Sequence, residues 1–236
     1  MKKFRPTIIL VRPQLPQNIG MVARVMQNFS LKELILINPR KNWLSNKSIN
    51  SAKKAKKIIE DIKIFESLDD ALKKFTYVIA TTNRNRFLQK ISSNNFLELY
   101  DKIITNKKVA IIFGPENSGL SNKDLILSDL IFTIDTSKNN NSLNLSHAVT
   151  IICQKIFEFN QIKKSNKVLI ENDSVNKGQL SKYFDFLFDN LDKKNFFVPK
   201  EKTKSMKLNI YNIFLKSRLT NKDLQTLWGI TKKLIK

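Results

Sequence analysis

The sequence predicts an α/β protein: a mostly parallel sheet with helices on both faces, followed by a small all-helical extension. Two patterns carry this reading. Short, wholly apolar runs such as TIILV and VAIIF recur between longer stretches of mixed polarity over the first 160 residues. Strands that are apolar throughout belong to a sheet covered on both faces, and their alternation with helices argues for parallel pairing. After residue 160 such runs stop, and lysine-rich helical stretches take over.

Taken in order, residues 7–11 form the first strand and 18–29 the first helix, with Asn18 placed to cap it. A strand over 33–37 ends at Asn38-Pro39. A basic helix covers 49–59 and a short strand 62–65. Ser67, with Asp70 three residues on, opens a helix over 67–75. Strand 77–80, helix 94–104 and strand 109–113 follow. Ser121 with Asp124 opens a short helix, strand 130–134 comes next, and a long helix runs over 142–159 with Ser142 fit to cap it. Residues 161–176 are polar without apolar periodicity and read as a linker. Helical segments over 177–191, 199–216 and 221–236 complete the chain, the last capped by Thr220 with Asp223. The expected organisation is a domain over 1–160, a linker over 161–176 and a basic helical extension over 177–236.

The 236 residues suffice for one good core plus an extension. Cys153 has no second cysteine to pair with, which points to a reducing compartment, and its apolar surroundings to a small buried hydrophobe. No apolar run reaches the roughly 18 residues of a membrane helix, and Arg12 and Pro13 interrupt the N-terminal run too early for a signal peptide. A cytoplasmic protein with no membrane partner is expected. The 42 basic against 20 acidic residues give +22, an excess that suits a polyanion, most often nucleic acid. Residues 161–236 hold 17 basic and 7 acidic residues, so +10; the first 160 hold 25 and 13, so +12. The extension is thus the more basic part per residue. Its aromatics, among them Tyr183, Phe184, Phe188, Tyr211, Phe214 and Trp228, fit either a small helical core or contact with RNA.

In open α/β sheets, ligands bind where strands deliver the chain into loops at their carboxyl ends. Three such loops are unusual. LVRPQLPQNIGMVARVM has two turn-shaping prolines, Asn18 at the helix start and Arg24 six residues further. Asn with Arg suits a hydroxyl or a phosphate, although Arg24 also fits an ordinary solvent-facing position. IIFGPENSGLS follows a core strand with a glycine-bounded turn holding one carboxylate, Glu116. It lacks the Lys-Ser/Thr of a P-loop and is not a dinucleotide fingerprint. IDTSKNNNSLNLSHAV leads into a helix with Ser142 and Asn144 at its mouth. One His and one Cys make no metal site, and His147 has no evident partner for base catalysis.

Together these loops resemble the three sequence motifs of the SPOUT class of RNA 2′-O-ribose methyltransferases. NIGMVARVMQNFSLKELILINP resembles the first motif, IIFGPENSGLSNKDL the second and SLNLSHAV the third. Order and spacing agree over about residues 5–160. With LVRPQ in the first motif and a basic helical extension, the chain looks most like the tRNA (cytidine/uridine-2′-O-)-methyltransferase family, which acts on the first nucleotide of the anticodon loop. Where the family often has a basic residue after the glycine of the second motif, this chain has Pro115.

The resemblance implies a deep trefoil knot at the C-terminal end of the catalytic domain, S-adenosylmethionine bound in that knot, and an obligate homodimer whose sites draw on both subunits. Such knots are almost absent among folds, so patterning alone would not suggest one. It implies Thr81, Thr82, Asn83, Gly114, Ile134, Asn141, Ser142 and Leu143 around the cofactor. It implies Arg24, Asn18, Glu116, Ser142 and Asn144 around the ribose. Arg24 reads best as a phosphate clamp that stabilises developing alkoxide charge, since Arg is a poor base. Glu116 would fix Asn18 or Arg24. Met21, Val22 and Val25 would be shielded by the partner subunit. The competing readings are a ribosomal RNA methyltransferase of the same class and a non-catalytic basic RNA-binding protein.

Overall fold

The structure is a computed structural model that describes residues 5–83, 90–137, 139, 142–162, 175–216 and 219–235. Asn141 and most of the expected linker lie outside the described residues.

Seven strands form one sheet: β1 (Thr7–Val11), β2 (Leu34–Ile37), β3 (Lys63–Phe65), β4 (Tyr77–Thr81), β5 (Ser92–Ser93), β6 (Val109–Phe113) and β7 (Leu130–Phe132). Their order is β3-β2-β1-β6-β4-β7-β5. All pairings are parallel, so every strand delivers its loop to the same edge. Two later strands take inner places: β6 lies between β1 and β4, and β7 between β4 and β5. The short edge strand β5 has no apolar run to announce it, being two serines.

Alternation along each strand divides the core in two. Ile8, Leu10, Ile79, Ile111 and Phe113 point to one face, where they pack with residues of α1 (Pro16–Asn28), α5 (Phe96–Thr105) and α7 (Leu145–Ile162). Ile9, Val11, Val78, Ala80 and Ile112 point to the other, against α4 (Leu68–Leu72) and α6 (Asn122–Ile126). Serine caps hold both short helices: Ser67 Oγ accepts from Asp70 N–H, and Ser121 Oγ from Asp124 N–H.

The expected basic helix over 49–59 is broken. α2 (Asn46–Ala52) gives way to a 3-10 turn over Lys53–Ala55 and then α3 (Lys56–Glu60), with Lys53 at φ 52°. A lysine in the left-handed region cannot continue an α-helix. α2 lies hard against α1, since a Cβ on Gly20 would stand 2.1 Å from the Ser48 carbonyl oxygen.

The helical extension comprises α8 (Lys177–Lys193), α9 (Thr203–Lys216) and α10 (Asn221–Ile235). The Thr220–Asp223 cap forms as expected. Tyr183, Phe184, Phe188 and Phe197 are buried in a third core. Phe184 and Tyr211 rings lie 4.1 Å apart, Phe186 and Trp228 4.7 Å. Of the two readings of these aromatics, the helical core is the one the packing takes. The linker is also shorter than expected at both ends. α7 runs to Ile162, Val175 is buried, and Asn176 caps α8 by accepting from Gln179 N–H. α8 is fastened to the sheet domain: Lys177 Nζ pairs with Asp129 at 2.6 Å, and the N–H groups of Lys177 and Gly178 donate to the carbonyls of Phe75 and Lys73.

Candidate active site

The loops after β4, β6 and β7 meet at the central part of the strand edge and enclose a cleft of about 620 Å³. Thr81, Thr82 and Asn83 form one wall. Phe113 to Glu116 with Gly119 form a second, and Ile134, Ser142, Leu143, Leu145 and Ala148 close the third. The cleft thus gathers every residue expected around the cofactor except Asn141, which is outside the described residues. Among the described residues lining it, Glu116 is the one that is charged.

The second loop is closed upon itself. Gly119 N–H donates to the Pro115 carbonyl at 2.8 Å, and Gly119 sits at φ 64°. A Cβ on Gly114 would stand 2.3 Å from Leu120 N and 2.4 Å from Gly119 C. Glycine is therefore required at 114 by the loop's own backbone, as well as leaving main chain bare toward the cleft.

Glu116 reaches out of this loop to organise the first. Its carboxylate accepts from the N–H of Gln14 at 2.8 Å, the N–H of Leu15 at 3.2 Å and Asn18 Nδ2 at 2.7 Å. This corrects the expected cap. α1 begins at Pro16, preceded by Leu15 with no side-chain cap of its own. Asn18 lies within the helix, 3% exposed. A carboxylate 98 residues away holds the chain that leads into the helix, near an N-terminus whose dipole favours negative charge. Of the two partners considered for Glu116, it bonds Asn18.

The third loop joins through Asn144. Asn144 Nδ2 donates to Asn18 Oδ1 at 3.4 Å, a long bond, while Asn144 Oδ1 accepts from the N–H and the hydroxyl of Ser146, both at 2.8 Å. Asn144, not Ser142, therefore caps α7, which starts at Leu145. Ser142 is exposed at the cleft wall. The result is one directed chain of hydrogen bonds, Ser146 to Asn144 to Asn18 to Glu116, that fixes which end of each amide faces which neighbour.

Arg24 stands apart. It is exposed on α1, is not among the residues lining the cleft, and has no hydrogen bond or ion pair with any described residue. Met21, one turn earlier, is 44% exposed. Val22 is fully buried within its own chain and so awaits no cover from a partner, whereas Val25 is partly buried on the same core.

Sequence reasoning missed the support around the first loop. Arg12, at φ 49°, donates from both terminal nitrogens to the Asp124 carboxylate. Burial alone would raise that carboxyl, but Arg12 and the Ser121 hydroxyl and N–H hold it below the usual range. Gln14 Nε2 donates to the Arg12 carbonyl at 2.8 Å, and Arg40 donates to Gln14 Oε1. No local pattern announces a pair 112 residues apart.

Among the described residues there is no cluster of His, Cys, Asp and Glu fit to hold a metal, and no helix is long and apolar enough to cross a membrane. His147 is exposed on α7. Cys153 is fully buried, and burial pushes its thiol up to about 12, which makes it inert.

A parallel α/β sheet with three sequence-separated loops closed around one strand-edge cleft places a ligand-sized site where such sheets bind nucleotide-like cofactors. The chain belongs to the SpoU rRNA Methylase family, whose sequence profile matches residues 5–154. It is 31% identical over 234 residues to the tRNA (cytidine-2'-O-)-methyltransferase TrmJ of Methanocaldococcus jannaschii, covering 96% of this chain and 98% of the relative. It is 30% identical to the enzyme of the same name from Sulfolobus acidocaldarius, covering 96% and 92%. The crystal structure of TrmJ from Z. mobilis ZM4 superposes with a TM-score of 0.87 at 29% identity, over 98% of this chain and 99% of that one. That match spans the helical extension as well as the sheet.

Proposed function

We propose that this protein transfers a methyl group from S-adenosylmethionine to a ribose 2′-hydroxyl of tRNA, at a cytidine or uridine opening the anticodon loop. The observation that carries the reading is the hydrogen-bonded chain from Ser146 through Asn144 and Asn18 to Glu116. It ties the first motif loop to the second and third, which line the cleft. Relatives named for this reaction, matching nearly the whole chain, support the choice of tRNA over ribosomal RNA.

The cleft fits the cofactor. Its volume lies within the range of small-ligand pockets, about 300–1,000 Å³. Apolar side chains of Phe113, Ile134, Leu143 and Leu145 can hold an adenosine ring, while bare backbone at Gly114 and Gly119 offers hydrogen bonds to its edge. S-adenosylmethionine supplies a methyl group on a sulfonium that departs as a neutral thioether. Glu116, the one charged residue among the described lining residues, is of the right sign to sit near a cation. Its bonds to the 14–18 loop make it a positioning residue.

The remaining work is to place the ribose and manage its proton. Asn18 and Asn144 hold fixed amide orientations beside the cleft, and Ser142 stands on its wall. Arg24, exposed and outside its own cleft, suits action in the site of a second subunit. A homodimer through the faces of α1 and α7 would bring it there with Met21. Arg24 would then grip the phosphate beside the target ribose and stabilise negative charge on the hydroxyl oxygen. The helical extension, tied to the sheet through Lys177 and Asp129, would add phosphate contacts along the tRNA.

The test uses S-adenosylmethionine with a tritiated methyl group, offered with bulk tRNA and with ribosomal RNA. Labelled 2′-O-methylcytidine or 2′-O-methyluridine in tRNA, from a protein that light scattering sizes at twice 27.4 kDa, is expected. Label in ribosomal RNA alone, or cofactor binding with no transfer, would replace the reading.

A further inference from the structure

A dense patch of positive charge lies outside both the cleft and the helical extension. Residues 40–63 hold 8 basic and 2 acidic residues, so +6 in 24 positions, against +10 in the 76 positions from 161 onward. Arg40, Lys41, Lys47, Lys53, Lys54, Lys56, Lys57 and Lys63 are all exposed, and none is ion-paired with a described residue.

This charge surrounds an apolar groove. Trp43, Leu44, Ile49, Ile59 and Ile62 line a space of about 340 Å³ together with Lys56 and Glu60. Leu44 is 56% exposed. Trp43 is half-buried and packs in part on the core below, and its backbone N–H donates to the Arg40 carbonyl at 2.9 Å in a turn. Packing on the core thus leaves one part of the side chain open. The groove is coupled to the active site along two lines. α2, which begins just after Leu44 and contains Ile49, rides on α1 at the Gly20 contact, and Arg40 bonds Gln14, which Glu116 holds.

We propose that this groove takes an unstacked nucleobase of the RNA substrate, outside the reaction centre, while the surrounding lysines grip the neighbouring phosphates. The inference rests on the RNA-methylation reading. Single-stranded RNA is bound where an aromatic face for stacking lies within a positive surface that tracks the backbone. Lys56 and Glu60 add a donor and an acceptor for the base edge. A second copy of this chain is a poor occupant: in a two-fold interface the patch would meet itself, setting +6 against +6. RNA has the opposite charge.

The test labels the full-length protein with 5-fluorotryptophan. Trp43 and Trp228 are its two tryptophans, so two fluorine resonances are expected, assigned with Trp228→Phe. Saturating tRNA should shift or broaden the Trp43 resonance. Leu44→Glu places a carboxylate in the groove at an exposed position that leaves the core intact. It should raise KM for tRNA at least fivefold, with kcat and S-adenosylmethionine affinity within twofold of wild type. A Trp43 resonance that stays still while the wild-type protein methylates tRNA would overturn the inference and leave the functional reading standing. So would an unchanged KM in Leu44→Glu, or a change in its oligomeric mass, which would make the groove a protein interface. A wild-type protein that methylates no RNA would instead sink the reading on which the groove depends.

Discussion

Of the described residues lining the cleft only Glu116 is charged, whereas residues 161–236 carry 17 basic and 7 acidic residues. The two regions also use their aromatics differently. In the extension, rings fill a core of their own, as in the edge-on contact of Tyr183 with Trp228 at 5.5 Å. Around the cleft, Phe113 and Phe132 belong to the sheet and merely show a face to the cavity. The contrast teaches where the charge of +22 acts. The site is held by oriented hydrogen bonds that converge on the Glu116 carboxylate. Exposed lysines of the extension offer a polyanion contacts whose contribution would be electrostatic and salt-dependent.

The sharpest way to break this comparison is at Arg24, the one cation expected to act in chemistry. Arg24→Ala should lower single-turnover methyl transfer by about 10² to 10³ at saturating tRNA, with cofactor affinity and dimer mass unchanged. Arg24→Lys should recover little, because an ammonium lacks the planar fork. Near wild-type turnover would return Arg24 to the class of surface charges. Glu116→Gln comes next. It removes the charge and one of two equivalent acceptors from a group that serves three donors. A charge-assisted hydrogen bond is worth about 1.5–3 kcal/mol, so turnover should fall by roughly 10- to 150-fold, with a lower melting temperature as the 14–18 loop loosens.

A milder effect is expected in the extension. Lys200, Lys202 and Lys204 are exposed together at the start of α9. Replacing all three by Ala should raise KM for tRNA and leave kcat alone. The slope of log affinity against log salt should shrink by about 0.7 to 0.9 for each phosphate that is no longer neutralised. An unchanged slope would confine the extension to folding. Deleting the extension would be a poorer test, because Leu180, Phe184 and Tyr211 face Leu72, Ile126 and Leu127 across the junction, and removal would bare that face.

The smallest effect sits at the junction of the two regions. Lys90 Nζ donates to the carbonyls of Ile126 and Ser128, near the Asp129–Lys177 pair. Burial pushes it down to about 7, with Lys177 adding to the shift and Asp129 opposing it. An unfolded lysine keeps its proton to about 10.4. Between about 7 and 10 the unfolded chain therefore binds one more proton than the folded one, and stability should rise with pH across that window. Urea midpoints over this range should climb in wild type and flatten in Lys90→Met. If only the extension unfolded in the first transition, the two regions would not share one cooperative unit.

The sequence by itself determined the strands and most helices, because apolar runs and serine caps are local: Ser67 with Asp70, Ser121 with Asp124 and Thr220 with Asp223 all cap as their spacing predicts. Through the likeness of its three motifs it also named the residues that gather at the cleft. Tertiary structure decided what local pattern could not. Asn18 reads as a cap and is instead a buried bridge, because the helix starts earlier, at Pro16, and Glu116 arrives from another strand end to bond its side chain. Ser142 yields the cap of α7 to Asn144, whose amide is already aligned by Asn18. Val22 looks available to a partner until α1 packs on the sheet, and the bond of Arg12 to Asp124 exists only once β1 and α6 share an edge. Each of these depends on which distant group occupies a neighbouring place in space, and hydrogen-bond partners are chosen by proximity, not by sequence separation.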